Sequence, residues 1–348
     1  MSIMWLQMVT VISTFAGCGG SSLGYKWSGF KELLAVEWET NAVETFKLNF
    51  PEVPVWQRDI CSVTAQEIFD FTGIKKGELD VLDGSPPCQG FSTAGKRKVN
   101  DSRNDLFKEY VRLVNDLQPK VFIMENVSGM IKGKMKGKFI EIMQTLKSLN
   151  YQVKCKLLNA MWYEVPQSRE RLFFIGVRND LNKQPEFPVP LKSFITVKQA
   201  LNNVENKNFD PQLKRFENLY SYIKQGKAII HCCPKELILK FAPRFINNPK
   251  LKIQNFGYRM INNKPAPTII KLETNTSTKH IHPFENRKCT IEEIKRLSSF
   301  PDEYKFTGKF EQQWARIGNA VMPKQMYHIA KTIKENILTK NGSPFKLK

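Results

Sequence analysis

The chain has 348 residues, of which 41% are hydrophobic and 25% are charged, the composition of an ordinary globular protein. This composition excludes a disordered, collagen-like or coiled-coil chain, and no apolar run reaches the roughly 18 residues that a membrane span requires. The formal net charge is +20. Such a basic protein favours a polyanionic partner such as nucleic acid, although the abundance of lysine accounts for part of the excess.

The seven cysteines are irregularly spaced, and no two of them have the C-x2-C separation typical of zinc ligands. No cationic signal segment precedes the first apolar run, so we expect reduced thiols and a cytoplasmic location. The pair His280 and His282, and His231 beside Cys232, form no recognisable zinc motif. We therefore expect no metal.

Residues 8–180 alternate short apolar runs with segments of helical periodicity. This rhythm predicts an α/β fold with a doubly wound, mostly parallel sheet. The predicted strands are Met8–Phe15, Glu32–Glu37, Val53–Trp56, Leu79–Leu82, Lys120–Met124, Lys154–Leu158 and Arg171–Val177. The predicted helices between them include Asn41–Phe50, Thr64–Phe71, Asp105–Leu117 and Lys138–Leu149.

The rhythm is lost in residues 181–285, which are rich in Asn, Lys and Pro. We expect this stretch to form a second, smaller and irregular domain. Order returns near 286, where Thr290–Glu293 is a capping box, and Pro323 suits the first turn of a last helix. The prediction is therefore a first domain at 1–180, a second at 181–285, and a segment at 286–348 that returns to the first.

Three groups follow the first three predicted strands, where an adenosine could bind. The Phe15–Gly20 turn opens a helix, and its glycines allow a ligand to approach the backbone closely. Glu37 can accept hydrogen bonds from a ribose, and the indole of Trp38 can stack on adenine. Asp59 can accept a proton from an exocyclic amine. The glycine turn alone would equally suit a nicotinamide enzyme or a structural turn.

The fourth predicted strand leads into Pro86-Pro87-Cys88-Gln89, followed by a polar and basic stretch. A thiol between a rigid turn and such a loop is typical of a nucleophile under a lid, although most free cysteines are buried structural thiols. Glu125 ends the neighbouring strand and is a candidate acid. Arg169 and Arg171 precede the last strand and can reach a phosphate, a base edge or a carboxylate.

Taken in order, these motifs, together with Gly318–Val321, resemble those of the DNA (cytosine-5) methyltransferases, most closely the bacterial enzymes of restriction–modification systems. The resemblance covers about residues 8–180 and 265–340, and Pro-Pro-Cys-Gln with Glu125-Asn-Val is its most specific part. It implies an S-adenosylmethionine-binding catalytic domain and a target-recognition domain at 181–285. Arg58 departs from the family, since a glycine commonly precedes the aspartate.

The resemblance also implies a role for each matching position. The catalytic residues would be Cys88, Gln89, Glu125, Arg169 and Arg171, with Arg169 holding the base oxygen. The cofactor residues would be Phe15, Gly17, Cys18, Gly19, Gly20, Glu37, Trp38, Asp59, Ile60, Pro86, Leu106, Asn319, Ala320 and Val321. The candidates for DNA contact are Ser92, Lys96, Arg97, Lys98, Arg259, Thr268 and Ile269.

The expected reaction moves a methyl group from S-adenosylmethionine to C5 of a flipped-out cytosine in duplex DNA, through a covalent bond from Cys88 to C6. The product S-adenosylhomocysteine would be released, and the modification would protect host DNA from a partner restriction endonuclease. We expect a monomer. The alternatives are a tRNA methyltransferase of the same fold, a catalytically silent DNA-binding relative, and a nicotinamide oxidoreductase, which the imperfect glycine pattern disfavours.

Overall fold

The computed structural model describes residues 8–87, 105–131, 136–241, 257–271 and 278–339. The chain forms two compact units. The first, which we call the sheet unit, comprises residues 1–159, 170–190 and 323–348. The second unit comprises residues 160–169 and 191–322.

A mixed sheet organises the first unit, and within the described residues it has seven strands in the order β3-β2-β1-β4-β5-β7-β6. Strands β1 to β5 are mutually parallel, whereas β7 runs antiparallel to both β5 and β6. The predicted doubly wound, mostly parallel sheet is confirmed. The strands are β1 (Thr10–Thr14), β2 (Lys31–Glu37), β3 (Val55–Gln57), β4 (Val81–Gly84), β5 (Val121–Val127), β6 (Tyr151–Asn159) and β7 (Glu170–Arg178).

Helices connect the parallel strands, as their direction requires. The four predicted helices are present, each within two residues of its predicted ends. The Thr64 capping box opens the third helix, where the Glu67 backbone N–H donates to Thr64 Oγ1 at 3.2 Å. The α-helices between consecutive strands, from β1 to β6, are α1 (Gly20–Trp27), α2 (Thr40–Asn49), α3 (Ala65–Thr72), α4 (Asp105–Leu117) and α5 (Lys136–Lys147).

The sheet is buried on both faces, which explains why its strands are nearly continuous apolar runs. Leu34, Leu82, Phe122 and Phe174 lie on four different strands, and all of them belong to one fully buried core. This core fixes the register of the strands. It therefore also fixes which residues reach the carboxyl ends of the parallel strands.

The second unit begins and ends elsewhere than predicted. Its helices are α6 (Val197–Ala200), α7 (Leu213–Tyr220), α8 (Lys235–Phe241), α9 (Ile291–Leu297) and α10 (Phe310–Asn319). The predicted return to the first domain at residue 286 is corrected, because α9 and α10 pack with Val197, Met260 and Ile269 in one hydrophobic core. The chain re-enters the sheet unit only at α11 (Pro323–Ile333).

Helices α1 and α11 pack closely in the sheet unit, and Gly24 makes that approach possible. A Cβ at Gly24 would lie 2.7 Å from Met326 Cβ and 2.7 Å from the Tyr327 backbone nitrogen. We expect Gly24→Ala to lower the free energy of unfolding by about 1–3 kcal/mol, because the two helices must separate. Urea denaturation measures this change.

Gly137→Ala is the matched control, since Gly137 lies in α5 and a Cβ there would meet nothing within 4 Å. Alanine is the better helix former by about 1 kcal/mol, so this variant should be neutral or stabilised. Equal destabilisation of the two variants would show that helix packing at Gly24 is not the cause.

Candidate active site

The parallel strands β1 to β5 end at the same edge of the sheet, which is where α/β proteins bind their ligands. The register of β4 against β5 shows which residues lie at this edge. Gly84, the last residue of β4, pairs with Met124, so Glu125 lies one residue beyond the end of its neighbour. The candidate acid, which is still within β5, therefore lies beside the start of the segment that follows β4.

The glycine turn after β1 has the backbone conformation that its sequence suggested. Phe15, Gly17 and Gly19 have φ angles of 54°, 56° and 87°, so the chain turns sharply before α1. The Gly17 N–H donates to Glu37 Oε2 at 2.8 Å. A Cβ built on Gly17 would meet no atom within 4 Å, so open space adjoins the turn.

Glu37 ends β2 and ties the glycine turn to the next helix. Its second oxygen accepts the backbone N–H groups of Trp38 and Glu39, both at 2.9 Å. Three backbone bonds fix the orientation of this carboxylate, which is 8% exposed. In nucleotide-binding α/β folds, a carboxylate in this region of the sheet edge accepts hydrogen bonds from a ribose. The Trp38 side chain beside it is 74% exposed and free of the core.

Asp59 and Ile60 follow β3, and their side chains differ in exposure. Asp59 is exposed, and its Oδ1 accepts the Cys61 backbone N–H at 2.9 Å. The Ile60 side chain is buried in the core of the sheet unit, which leaves its backbone for ligand contact. Arg58, the departure from the family pattern, holds this turn through Glu67 Oε1 at 2.8 Å and the Ser62 carbonyl.

Other predicted cofactor residues have structural contacts. Cys18 is 2% exposed, and the half-buried Leu106 packs against the core. The Pro86 carbonyl accepts a hydrogen bond from Asn126 Nδ2 at 3.3 Å, which ties the segment after β4 to β5. In the second unit, Asn319 at the end of α10 is exposed, while Ala320 and Val321 are buried.

Glu125 forms an ion pair with Arg171, whose Nε lies 2.9 Å from Oε1 of the carboxylate. Arg171 pairs with Val127 across β5 and β7, so its side chain shares a sheet face with Glu125. The two side chains are 11% and 16% exposed. Burial lowers the pKa of Arg171, while the neighbouring carboxylate acts in the opposite direction. The guanidinium stays charged at any physiological pH.

Arg169 has a different environment from Arg171, although the sequence suggested that the two point the same way. It is 2% exposed and lies in the second unit. Its guanidinium donates to the carbonyls of Ile269, Gly318 and Ala320 at 2.8, 3.0 and 3.1 Å. These bonds correct the predicted role of Arg169 as the holder of the base oxygen. The residue fixes the backbone around Asn319 instead.

Gln167 is a neighbour of Arg169 that received no role from the sequence. It is fully buried, its Nε2 donates to Ser298 Oγ at 3.2 Å, and its Oε1 accepts the Ile269 N–H at 3.1 Å. Its place in the Gln-x-Arg motif was the available signal. Gln167 and Arg169 thus support the same turn from both sides.

Several predicted residues lie outside the described residues. They include the candidate nucleophile and the basic loop, and they are Cys88, Gln89, Ser92, Lys96, Arg97 and Lys98. The described chain reaches Pro87 and resumes at Asp105. Their predicted roles therefore stay predictions.

Of the described candidates for DNA contact, Arg259 and Ile269 are buried, whereas Thr268 is half-buried and its predicted contact stays a prediction. Arg259 is 5% exposed, and its Nη atoms donate to the carbonyls of Tyr220, His282 and Glu285 at 2.6–2.7 Å. Ile269 is fully buried, and Thr268 Oγ1 donates to the Ser168 carbonyl at 2.8 Å. Arg259 holds loops together because a guanidinium can serve several carbonyls at once.

A groove in the second unit offers cationic groups that the sequence did not single out. It has a volume of about 460 Å³, and it is lined by Tyr222, Lys224, Lys227, His231 and Cys232. Both lysine side chains and Tyr222 are exposed. None of the lining residues is acidic, so the groove suits an anionic ligand.

In the ranges that the structure describes, no three His, Cys, Asp or Glu side chains cluster as metal ligands would. No helix in the same ranges is long and apolar enough to cross a membrane.

The fold and the site define a class before any comparison is made. A doubly wound sheet with a glycine turn, a buried carboxylate and an exposed indole at its carboxyl edge is typical of α/β proteins that bind a ligand containing a nucleoside. The largely buried Glu125–Arg171 ion pair lies at the same edge, beside the end of β4.

The family comparison agrees with this class. Residues 9–335 match the family model described as C-5 cytosine-specific DNA methylase. The Type II methyltransferase M1.HphI of Haemophilus parahaemolyticus is 34% identical, over 97% of this chain and 89% of the relative. M.DdeI of Desulfomicrobium norvegicum is 32% identical, over 98% and 92%. The chain belongs to this family and is a DNA (cytosine-5) methyltransferase of the restriction–modification type.

Solved structures agree with the fold. A prophage-encoded protein of Escherichia coli is 25% identical with a TM-score of 0.74, over 95% of this chain and 99% of the other. A DNMT2 variant of Spodoptera frugiperda is 22% identical with a TM-score of 0.61, over 94% and 100%. The second likeness establishes the fold alone.

The Arg169 bonds predict a stability effect. We expect Arg169→Lys to lower the free energy of unfolding by about 2–4 kcal/mol, because one ammonium cannot serve three carbonyls. Arg58→Lys is the control, since the Arg58 and Glu67 side chains are 36% and 42% exposed, and it should cost less than about 1 kcal/mol. Chemical denaturation of both variants measures the difference, and equal stability would remove Arg169 from this role.

Proposed function

We propose that the protein transfers a methyl group from S-adenosylmethionine to C5 of a flipped-out cytosine in duplex DNA, with Cys88 as nucleophile and Glu125 as acid. The observation that carries the proposal is the Glu125–Arg171 pair, at 2.9 Å. It lies one residue beyond the β4 end that leads through Pro86 to Cys88. An acid and a nucleophile at neighbouring strand ends are what addition to a pyrimidine ring requires.

The described residues of the sheet unit fit the adenosyl part of the cofactor. Glu37 would hold the ribose hydroxyls, Trp38 would stack on adenine, and Asp59 would accept from the adenine amine. The open space beside Gly17 would admit the methionine part. When bound, the cofactor supplies an electrophilic methyl group on a sulfonium. The predicted contacts of Asn319, Ala320 and Val321 with it stay part of the proposal.

The chain's own residues activate the cytosine. The Cys88 thiolate adds to C6, and the C5–C6 double bond becomes an enamine whose C5 is nucleophilic. Glu125 places a hydrogen bond or a proton on N3 and so neutralises the charge that develops in the ring. After C5 has been methylated, its proton leaves to a base and the thiolate is eliminated, which restores the aromatic ring and the free Cys88.

Arg171, rather than Arg169, is the arginine that serves the base. Its Nε is engaged with Glu125, and Nη1 donates to the Glu170 carbonyl at 2.8 Å. The guanidinium orients the carboxylate toward the base and presents a positive charge to the O2 side of the ring. Because both charges are largely buried, loss of either partner leaves the other uncompensated.

The target atoms lie inside the duplex, so the base must leave the stack at a cost of a few kcal/mol. Residues Ser92 to Lys98 would close over the extruded base, and their cations would hold phosphates. The modified sequence would be protected from a partner restriction endonuclease. The alternative of a tRNA substrate is disfavoured because the relatives M1.HphI and M.DdeI are Type II methyltransferases.

Cys88→Ser should abolish methyl transfer while leaving duplex binding unchanged, because a hydroxyl is far less nucleophilic than a thiolate at neutral pH. The assay is incorporation of tritiated methyl groups into plasmid DNA from a methylation-free bacterial host, beside a gel-shift measurement. Cys155→Ser is the control, since Cys155 lies on β6 and burial raises its pKa to about 12. Normal turnover by the Cys88 variant would refute the proposal.

Because Arg259 is buried, the groove of the second unit is the DNA contact that we propose instead. Lys224→Ala with Lys227→Ala should weaken duplex binding and reduce the slope of log affinity against log salt by about one per lysine. The control pair Lys75→Ala and Lys76→Ala removes the same charge from exposed sites preceding β4, at the opposite edge of the sheet. Identical salt slopes in the two double variants would exclude the groove.

A further inference from the structure

A row of polar side chains lies on one face of the sheet, next to α1. It consists of Glu32 on β2, Ser13 on β1, Asp83 on β4 and Glu125 on β5. The reaction proposed above uses only Glu125. Asp83 on β4 pairs with Ser13 on β1 and with Ile123 on β5. Paired residues on adjacent strands share a face, and so does the residue two positions along. Asp83 therefore shares its face with Glu125, which is paired to Arg171.

An irregularity in β2 extends the row on the other side. The register of β1 against β2 shifts between Val11 and Ile12, so Val11 pairs with Glu32 and Ile12 with Leu34. Leu33 is the extra residue. The shift places Glu32 on the face of Ser13 and Asp83, where regular alternation would have turned it away.

Helix α1 binds this row through its hydroxyl groups. The buried Tyr25 hydroxyl donates to Asp83 Oδ1 at 3.2 Å, and Ser22 Oγ donates to Glu32 Oε1 at 3.0 Å. Ser21 also hydrogen-bonds Asp83. This helix begins at Gly20, directly after the glycine turn that would hold the cofactor. Asp83 thus contacts the element behind that turn and lies on the strand that leads to Cys88.

We propose that Asp83 is a positioning residue for methyl transfer, which holds α1 behind the cofactor turn through Tyr25 and repels the Glu125 carboxylate when it is itself charged. The inference rests on the proposed role of Glu125 as the acid. When Asp83 is negative, its charge repels that of Glu125 and so opposes the attraction between Glu125 and Arg171. The row connects the cofactor turn to the catalytic acid.

The surroundings of Asp83 determine when it carries that charge. The groups that act on it or respond to it are Ser21 and Tyr25 on α1, Glu32 on β2, Tyr110 on α4 and Glu125 on β5. None of these is a cation. Burial, reinforced by the charge of Glu125, raises the pKa of Asp83 to about 7, against the bonds from Ser21 and Tyr25. Asp83 is therefore neutral in mild acid and negative in mild alkali.

Asp83→Asn tests the inference, because the amide keeps an acceptor for Tyr25 but cannot ionise. Below pH 7 the wild-type side chain is neutral too, so kcat for methyl transfer should be nearly equal in the two proteins at pH 6. Above pH 7 only the wild type carries the charge. At pH 8.5 we expect kcat of the variant to be about tenfold lower, with the KM for S-adenosylmethionine little changed.

Tyr25→Phe separates the second part of the role. The variant loses the bond that stabilises the ionised Asp83, so the rise of kcat with pH should move to higher pH, and the KM for S-adenosylmethionine should increase several-fold as α1 loosens. Tyr151→Phe is the matched control, since its buried hydroxyl donates to the Pro119 carbonyl at 2.6 Å and lies outside the row. This control should keep the wild-type pH profile.

The outcomes are distinguishable. A ratio of kcat values between Asp83→Asn and wild type that does not change with pH overturns the inference, even where both are slow. Loss of folding does not account for the expected result, because removal of a buried carboxylate should leave the unfolding temperature at pH 8.5 equal or higher. Glu125→Gln is assayed beside them. Full activity of that variant would refute the proposed function itself rather than the coupling.

Discussion

The ion pair of Glu125 and Arg171 is the interaction on which the reaction centre depends. Both side chains are largely buried, so each charge is tolerated only because the other is 2.9 Å away. The pairing of β5 with the antiparallel β7 places them together, since Arg171 lies opposite Val127, two residues beyond Glu125. The antiparallel direction of β7 thus places Arg171 beside Glu125.

The same edge explains why the proposed cofactor residues lie near the strand that leads to Cys88. Strands β1, β2 and β3 end in the glycine turn, Glu37 and Asp59, and β4 ends in the segment that leads to Cys88. Glu37 accepts hydrogen bonds from three backbone N–H groups, which makes the proposed ribose site rigid before any ligand binds. A preorganised site loses little entropy on binding, which favours reaction over loose association.

Much of this arrangement follows from the sequence, because it depends on local patterns. Apolar runs mark the central strands β1, β4, β5 and β7, and the order of motifs along the chain places Glu37 and Glu125 at strand ends. Local patterns do not predict contacts between residues that are distant in sequence. The bonds of Arg169 to Ile269, Gly318 and Ala320 span 100 residues or more, and one residue of spacing from Arg171 gives no hint that the two serve different units.

Arg259 and the boundary at 286 show the same limit. A basic residue in an irregular stretch resembles a DNA contact, yet its carbonyl partners come from two separate segments, the end of α7 and the loop at His282 and Glu285. Likewise α9 has an ordinary capped sequence, and only its packing against Val197 and Met260 assigns it to the second unit. Asp83 did carry a signal, since an acid in the apolar strand Val81–Gly84 must find hydroxyl partners or a proton.

The central claim is that a thiolate at position 88 adds to the ring while Glu125 neutralises it. Its most direct measurement uses a DNA fragment that the wild type methylates, resynthesised with 5-fluorocytosine in place of cytosine. Fluorine cannot leave as a proton does, so with S-adenosylmethionine the account predicts a covalent complex by intact mass, mapped by peptide sequencing to Cys88. It also predicts that Glu125→Gln forms this complex far more slowly. A complex at another residue, no complex, or one formed by Glu125→Gln at the wild-type rate would contradict the account.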